Sequence, residues 1–186
     1  MNIALINQEI CVPTGAAIAV PSAVAVHAAF LPDGTVQSQV GTIAAQPGTL
    51  INMGFALKVS VTDADASITS TTVHAVGTDW FGRDVDEVWS SNVAGSANYD
   101  MAKIFTVLTT LDVTGVGYTG ADLLCIGVSN IVGIPYVIAT ADDVVNFRED
   151  AVIEAAPTIV VANNSIVLPT SPDGAARYYA DLDISF

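Results

Sequence analysis

The sequence predicts an all-β protein: a β-sandwich, immunoglobulin-like or jelly-roll-like, with an extended N-terminal arm that carries strands of its own. Three observations predict it. Apolar residues are 52% of the 186 and are mostly Ala and Val rather than Leu, and β-branched residues suit a pleated, half-buried surface. Short apolar runs are separated by turn signals such as Leu31-Pro32-Asp33-Gly34 and Pro172-Asp173-Gly174, where Pro presets φ and Gly accepts the left-handed conformation. Several runs alternate with a period of two residues, and none sustains a helical period. Strands without helices must bury their apolar faces against one another, as a sandwich or an open barrel.

Residues 1–48 are expected to form the arm and 49–186 the sandwich domain. Within the arm, Val12-Pro13-Thr14-Gly15, Val20-Pro21-Ser22 and Gln46-Pro47-Gly48 break up short Ala/Val runs. Residues 16–29 have a helix-like composition, but Pro21 in their middle removes a backbone donor, so strand is expected there. From Thr49 the strands lengthen. Residues 56–61 alternate and place Lys58 and Ser60 outward.

Asp63-Ala64-Asp65 then turns the chain into its most clearly written unit, a hairpin over residues 71–89. The first strand sets Thr71, Val73, Ala75 and Gly77 on one face, with Thr72, His74 and Val76 on the other. Thr78, Asp79 and Gly82 supply the turn. The return strand sets Asp84, Asp86 and Val88 against Val85, Glu87 and Trp89. Neither of its faces is cleanly apolar, which places it at a sheet edge or against a neighbouring chain.

Beyond the hairpin, 92–101 reads as a loop, 102–113 as a Thr- and Val-rich strand, and 115–120 as a Gly-rich turn. Strands are expected at 123–128 and 136–139, with a kink at Gly133-Ile134-Pro135 between them. A short helical turn surrounds Asp142-Asp143. Strands at 158–161 and 165–168 flank an Asn163-Asn164 turn. Finally Tyr178, Ala180, Leu182, Ile184 and Phe186 alternate with Tyr179, Asp181, Asp183 and Ser185, the pattern of a half-buried strand.

Five basic residues face 19 acidic ones, a formal charge of −14. A phosphate backbone or an anionic membrane would repel such a chain, so neither nucleic acid nor a membrane is an expected partner. With only 13% of residues charged, part of its surface is expected to be buried against other subunits. Cys11 and Cys125 are expected as small buried hydrophobes rather than as a disulfide. The N-terminus lacks the basic segment of a secretion signal. The longest apolar stretch, 123–139, is broken by Ser129, Asn130 and Pro135 and is too short to span a bilayer. A soluble protein is expected.

Little here assembles into chemistry. Gly115-Val116-Gly117-Tyr118-Thr119-Gly120 matches the dinucleotide-binding fingerprint letter for letter, but no helix pattern follows it to receive a pyrophosphate. A Gly-rich turn is expected instead, and no cofactor. Asp63/Asp65, Asp84/Asp86/Glu87, Asp142/Asp143 and Asp181/Asp183 have oxygen ligands to offer but not the spacing of a calcium loop; solvated acidic edges are expected. His27 and His74 lie in apolar strands without a partner motif, so no catalytic residue and no metal ligand is assigned. Trp80 and Phe81 at the hairpin tip are either anchors for a partner or a local cap that folds back. They are the first partner-contact candidates. Ile3, Leu5 and Ile6 at the start of the arm are the others.

Three stretches together resemble a family of tailed-bacteriophage virion structural proteins, the head decoration (cement) proteins and their accessory relatives. One is residues 72–88, a strand, a Gly77-Thr78-Asp79-Trp80-Phe81-Gly82 turn and an acidic return strand. The second is Ile131-Val132-Gly133-Ile134-Pro135-Tyr136. The third is Pro169-Thr170-Ser171-Pro172-Asp173-Gly174 with the terminal strand. They occur in the family's order across residues 68–186. Arg83-Asp84-Val85-Asp86 stands where Thr-rich residues are more usual, and the loop at 92–100 is longer. The resemblance implies a non-enzymatic β-sandwich on the capsid surface of the virion, bridging subunits of the major capsid protein as a homotrimer with residues 1–48 as docking arm. A tail, neck or fibre component, or a carbohydrate-binding β-sandwich using Trp80 and Phe81, are the alternative expectations.

Overall fold

The computed structural model describes residues 3–9, 27–30, 37–39, 54–92, 95–134, 136–149, 152–153, 157–168 and 178–185. They form an all-β structure of β1 (Ile3–Glu9), β2 (His27–Phe30), β3 (Gln37–Gln39), β4 (Phe55–Thr62), β5 (Ser70–Thr78), β6 (Asp84–Ser91), β7 (Ala97–Asp100), β8 (Val107–Val116), β9 (Leu123–Gly133), β10 (Val144–Glu149), β11 (Val152–Ile153), β12 (Thr158–Val160), β13 (Ser165–Val167) and β14 (Tyr178–Ser185). Two single-turn 3₁₀ segments, Ala141–Asp143 and Val161–Asn163, are the only helical turns among the described residues, and none of them is long and apolar enough to cross a membrane.

The strands make three antiparallel sheets. One runs β1-β14-β10-β11, the second β12-β13-β9-β4-β7 with β2 also on β9, and the third β3-β8-β5-β6. Each described strand of the first 48 residues joins a different sheet: β1 pairs with β14, β2 with β9 and β3 with β8.

Period-two patterning sets which faces meet. In β5 every second residue from Thr71 to Gly77 is buried, and in β4 Leu57, Val59 and Val61 are buried between half-buried Lys58 and Ser60. Leu57, Val59, Val61, Leu124 and Ile126 of the second sheet meet Val73, Ala75, Leu108, Leu111 and Val113 of the third in one core, closed by Phe105, Met101 and Ile68. A second core joins the far end of the second sheet to the first sheet, with Phe55, Val132 and Ile166 against Val144, Phe147, Ala180 and Leu182. The division falls where the β4–β9 register slips, between Phe55 and Leu57.

The expected hairpin is present, with Thr71 opposite Ser91 through to Thr78 opposite Asp84, and β6 ends its sheet. The helical turn at Asp142-Asp143, the Asn163-Asn164 turn and the terminal strand are likewise present. Three expectations are corrected. The loop expected over 92–101 contains a strand, β7, whose Ala97–Asp100 pair with Val61–Lys58 of β4. Residues 136–139 are not a strand, because Asn164 takes the place of a partner strand: its Oδ1 accepts from Ile138 N and its Nδ2 donates to Ile134 O and Tyr136 O. The strand expected over 102–113 begins only at Val107, since the amides of Ala102 and Lys103 donate to the Glu87 carboxylate instead of a ladder. The strand expected over 16–29 is described only from His27. The turns at Pro13, Pro21, Asp33, Pro47 and Pro172-Asp173-Gly174, and Cys11, lie outside the described residues.

Candidate functional site

The tip of the β5–β6 hairpin is built around one carboxylate. Asp79 Oδ1 accepts the amides of Phe81 and Arg83 at 2.8 and 3.0 Å, and Oδ2 takes the Arg83 guanidinium at 2.6 Å. Gly82, at φ +70°, lets the chain reverse so that its amide reaches Asp79 O, a conformation open to Gly at little cost. Burial pushes the Asp79 carboxyl up, but the bonds from Arg83 and the Phe81 amide outweigh it and hold the group below the usual carboxylate range. The Arg83 guanidinium also stands 4.7 Å from the centre of the Phe81 ring, a cation–π contact that fixes both side chains.

The two tip aromatics part company. Trp80 folds back against the second core, beside Gly133, whereas Phe81 remains 42% exposed. A glycine at 133 leaves room for the indole, because a Cβ there would stand 3.3 Å from Trp80 Nε1. Nothing local in the sequence separates the two aromatics. Gly133, in a segment singled out only as a kink, was the available signal that one of them turns inward.

Beside the tip lies an open groove of ≈ 310 Å³, walled by Asp79, Arg83 and Asp84 from the hairpin, Lys103 and Ile104 from the 102–106 segment, and Asn163 from the second 3₁₀ turn. Its polar walls are held in place. Lys103 Nζ donates to Asp86 O at 2.6 Å and Asn163 Nδ2 to Ala102 O at 2.9 Å. Composition gave no sign of this convergence, since the three segments are joined only by tertiary packing.

Among the described residues, the closest approach to a metal-ligand set is Asp63, Asp65 and Asp122, one oxygen of each lying within 4.8 Å of the others. These carboxylates serve as loop staples. Asp122, fully buried, accepts from Ala64 N, Thr119 N and Ser67 Oγ. Asp63 accepts from Ser67 N and Gly95 N, and Asp65 from Ser67 N and Thr119 Oγ1. The amides of Ala64 and Thr119 hold the Asp122 carboxyl below its usual range, and the Ser67 and Thr119 hydroxyls do the same for Asp65.

The remaining candidates are scattered. Ile3, Leu5 and Ile6 lie in β1, opposite Ser185, Asp183 and Leu182 of β14. His74 bonds Asp86 Oδ1 at 3.0 Å on an exposed sheet face. Cys125 is a half-buried thiol, which burial pushes up. The fingerprint at 115–120 leads from β8 into β9 rather than into a helix, so the context that a dinucleotide requires is missing. No protein-family model matches the chain, and no curated protein or solved structure matches it. The likeness to phage decoration proteins therefore rests on its three motifs.

Proposed function

We propose that the chain is a structural virion protein that stabilises a phage capsid shell by bridging major capsid protein subunits, its sheets packed as a β-sandwich and its copies arranged as a homotrimer. The observation that carries this reading is the outer face of the β8-β5-β6 sheet. The strand registers align Thr114, Asp112, Thr110 and Val107 with Thr72, His74, Val76 and Thr78, and these with Ser90, Val88, Asp86 and Asp84. Apart from His74 these side chains are short; three are aspartates, and none is Lys or Arg. Val88 is 61% and Val107 52% exposed. A face that sets exposed valines among short polar side chains immobilises few flexible groups when it packs, which favours contact with a neighbouring subunit.

The motif order supports the same class, and a charge-poor, apolar composition fits a protein that covers much of its surface with neighbours. The test is the copy number of the chain on purified particles. Hundreds of copies on emptied heads are expected. A ring of about twelve copies or fewer would place it at the neck or tail, and recovery only as free protein would overturn the virion reading.

A further inference from the structure

The outer face of the β8-β5-β6 sheet is patterned as well as exposed. The registers set a valine on each strand, Val107 on β8, Val76 on β5 and Val88 on β6, each diagonal to the next, a spacing within side-chain reach. Carboxylates lie to both sides of this step, Asp84 and Asp86 along β6 and Asp112 on β8. Asp84 and Asp86 are exposed. Asp86 bonds His74 through Oδ1, yet its side chain remains 68% exposed, so it keeps acceptor surface for a second partner. No Lys or Arg stands in the aligned rows. Of the cations at the hairpin, Arg83 is engaged by Asp79 and Lys103 by Asp86 O.

These features decide between occupants. A second copy related by a two-fold axis would bring the face onto itself, so that carboxylates meet carboxylates with no Lys or Arg to receive them. The face is also small for that purpose. Three strands about 4.8 Å apart and about 25 Å long offer on the order of 400 Å², roughly half of what one partner of a stable complex buries. Addition of a strand at the β6 edge is opposed by Lys103, whose Nζ already occupies Asp86 O, and by the charged side chains along that edge. Nucleic acid and anionic membranes are repelled. What fits is a protein surface of opposite sign, whose attraction supplements a small apolar contact and speeds its formation.

We infer that the outer face of the β8-β5-β6 sheet docks a basic surface of a different protein. Apolar residues of that surface cover Val107, Val76 and Val88, and its Lys or Arg side chains reach Asp84, Asp86 and Asp112. The inference rests on the proposed function for the identity of the partner, a capsid subunit, but not for the chemistry of the partner's surface. It adds that this face makes the contact with the other protein, so that contacts between copies of the chain lie elsewhere.

The experiment is an NMR titration of the full ²H,¹⁵N-labelled chain with lysozyme, a small protein of net positive charge, at about 20 mM and about 300 mM salt. Expected are amide shifts centred on Thr72, His74, Val76, Val88 and Asp112 that largely disappear at the higher salt. Asp84→Lys/Asp86→Lys is expected to weaken binding about tenfold and the milder Asp84→Asn/Asp86→Asn about threefold. Asp142→Lys/Asp183→Lys, which changes the net charge equally but away from this sheet, is expected to weaken it less than about twofold. Shifts centred on another acidic site, or equal weakening by the two lysine pairs, overturn the inference. So do shifts of the same amides when the chain alone is concentrated, because a second copy would then cover the face. The same variants are added to particles stripped of the chain, where only the changes at Asp84 and Asp86 are expected to lower rebinding. Equal rebinding by all variants overturns the inference and leaves the virion reading standing. If particles never carry the chain, the virion reading falls and the lysozyme map alone decides the inference.

Discussion

The backbone of Gly77 in β5 approaches that of Val107 in β8 so closely that a Cβ at position 77 would stand 1.9 Å from the Val107 carbonyl oxygen. The contact falls where the β5–β8 register shifts, between Val76 and Gly77. A bulge of this kind brings two main chains together, and only a residue without a side chain fits. The obstacle is backbone rather than a movable side chain, so relaxation would have to break the ladder. Gly77→Ala is expected to cost roughly 3–5 kcal/mol in urea unfolding, at the severe end for a single substitution. A loss under about 1 kcal/mol would mean that the bulge slides to a new register.

Ile104 is a wedge between two other glycines. A Cβ on Gly54 or Gly133 would lie 2.3 or 2.6 Å from its Cγ2. Here the obstacle is the end of one side chain, which makes the strain separable. Gly133→Ala is expected to destabilise by about 1–3 kcal/mol through overpacking, and Ile104→Ala by about 2–5 kcal/mol through a cavity. The double variant is expected to lose less than the sum of the two, because the new methyl enters the space that Ile104 vacates. Strict additivity in a double-mutant cycle would show that the wedge does not bear on Gly133.

What could be read from the sequence was set by strand periodicity. The β5–β6 hairpin, the outward Lys58 and Ser60, and the terminal strand with buried Ala180 and Leu182 all follow from alternation, which depends only on neighbours along the chain. Two of the failures occur where a distant side chain replaces a strand partner, and a third where Ala97–Asp100, read as loop for its Asn and Asp, pairs with the β4 edge. Asn164 satisfies the 134–138 backbone from 26 or more residues away, and Glu87 captures the amides of 102 and 103. The groove was illegible for the same reason. Asn163 and Lys103 carry no local mark of their meeting with Arg83, and the inward turn of Trp80 depends on the space left at Gly133.

Four aspartates, at 65, 79, 122 and 143, are held below the ordinary value of 3.8 in the folded chain. For Asp143 the main cause is the Ala139 amide, with the Thr140 hydroxyl and amide beside it. Unfolded, these groups take up protons near pH 4; folded, they resist protonation until the pH is lower. The stability they supply is therefore complete above about pH 5 and is lost progressively as the pH falls through 4 and below. Thermal unfolding at constant ionic strength is expected to show a lower midpoint at pH 3 than at pH 6. Asp122→Asn, which turns one of the two oxygens that receive Ala64 N, Thr119 N and Ser67 Oγ into a donor, is expected to lower the midpoint at pH 6 and to flatten the pH dependence. A parent midpoint that is level between pH 6 and 3 would show that these staples do not depend on charge.

The hairpin tip separates an ion pair from a set of amide bonds. Arg83 is 64% exposed at its side chain and Asp79 only 13%. Solvent screens the pair itself, and exposed pairs contribute about 0.2–1 kcal/mol. The bonds from Asp79 Oδ1 to the amides of Phe81 and Arg83 resemble a helix cap in kind, and loss of such a cap costs about 0.5–2 kcal/mol. Asp79→Ala removes both contributions and leaves the amides without their acceptor, whereas Arg83→Ala removes only the pair and the contact with Phe81. Asp79→Ala is thus expected to destabilise by about 1–2 kcal/mol and Arg83→Ala by less than half of that. Asp79→Asn should fall between them, since its carbonyl oxygen still receives the two amides. Equal losses for Asp79→Ala and Arg83→Ala in urea unfolding would show instead that the ion pair holds the tip, and that the loss would shrink with added salt.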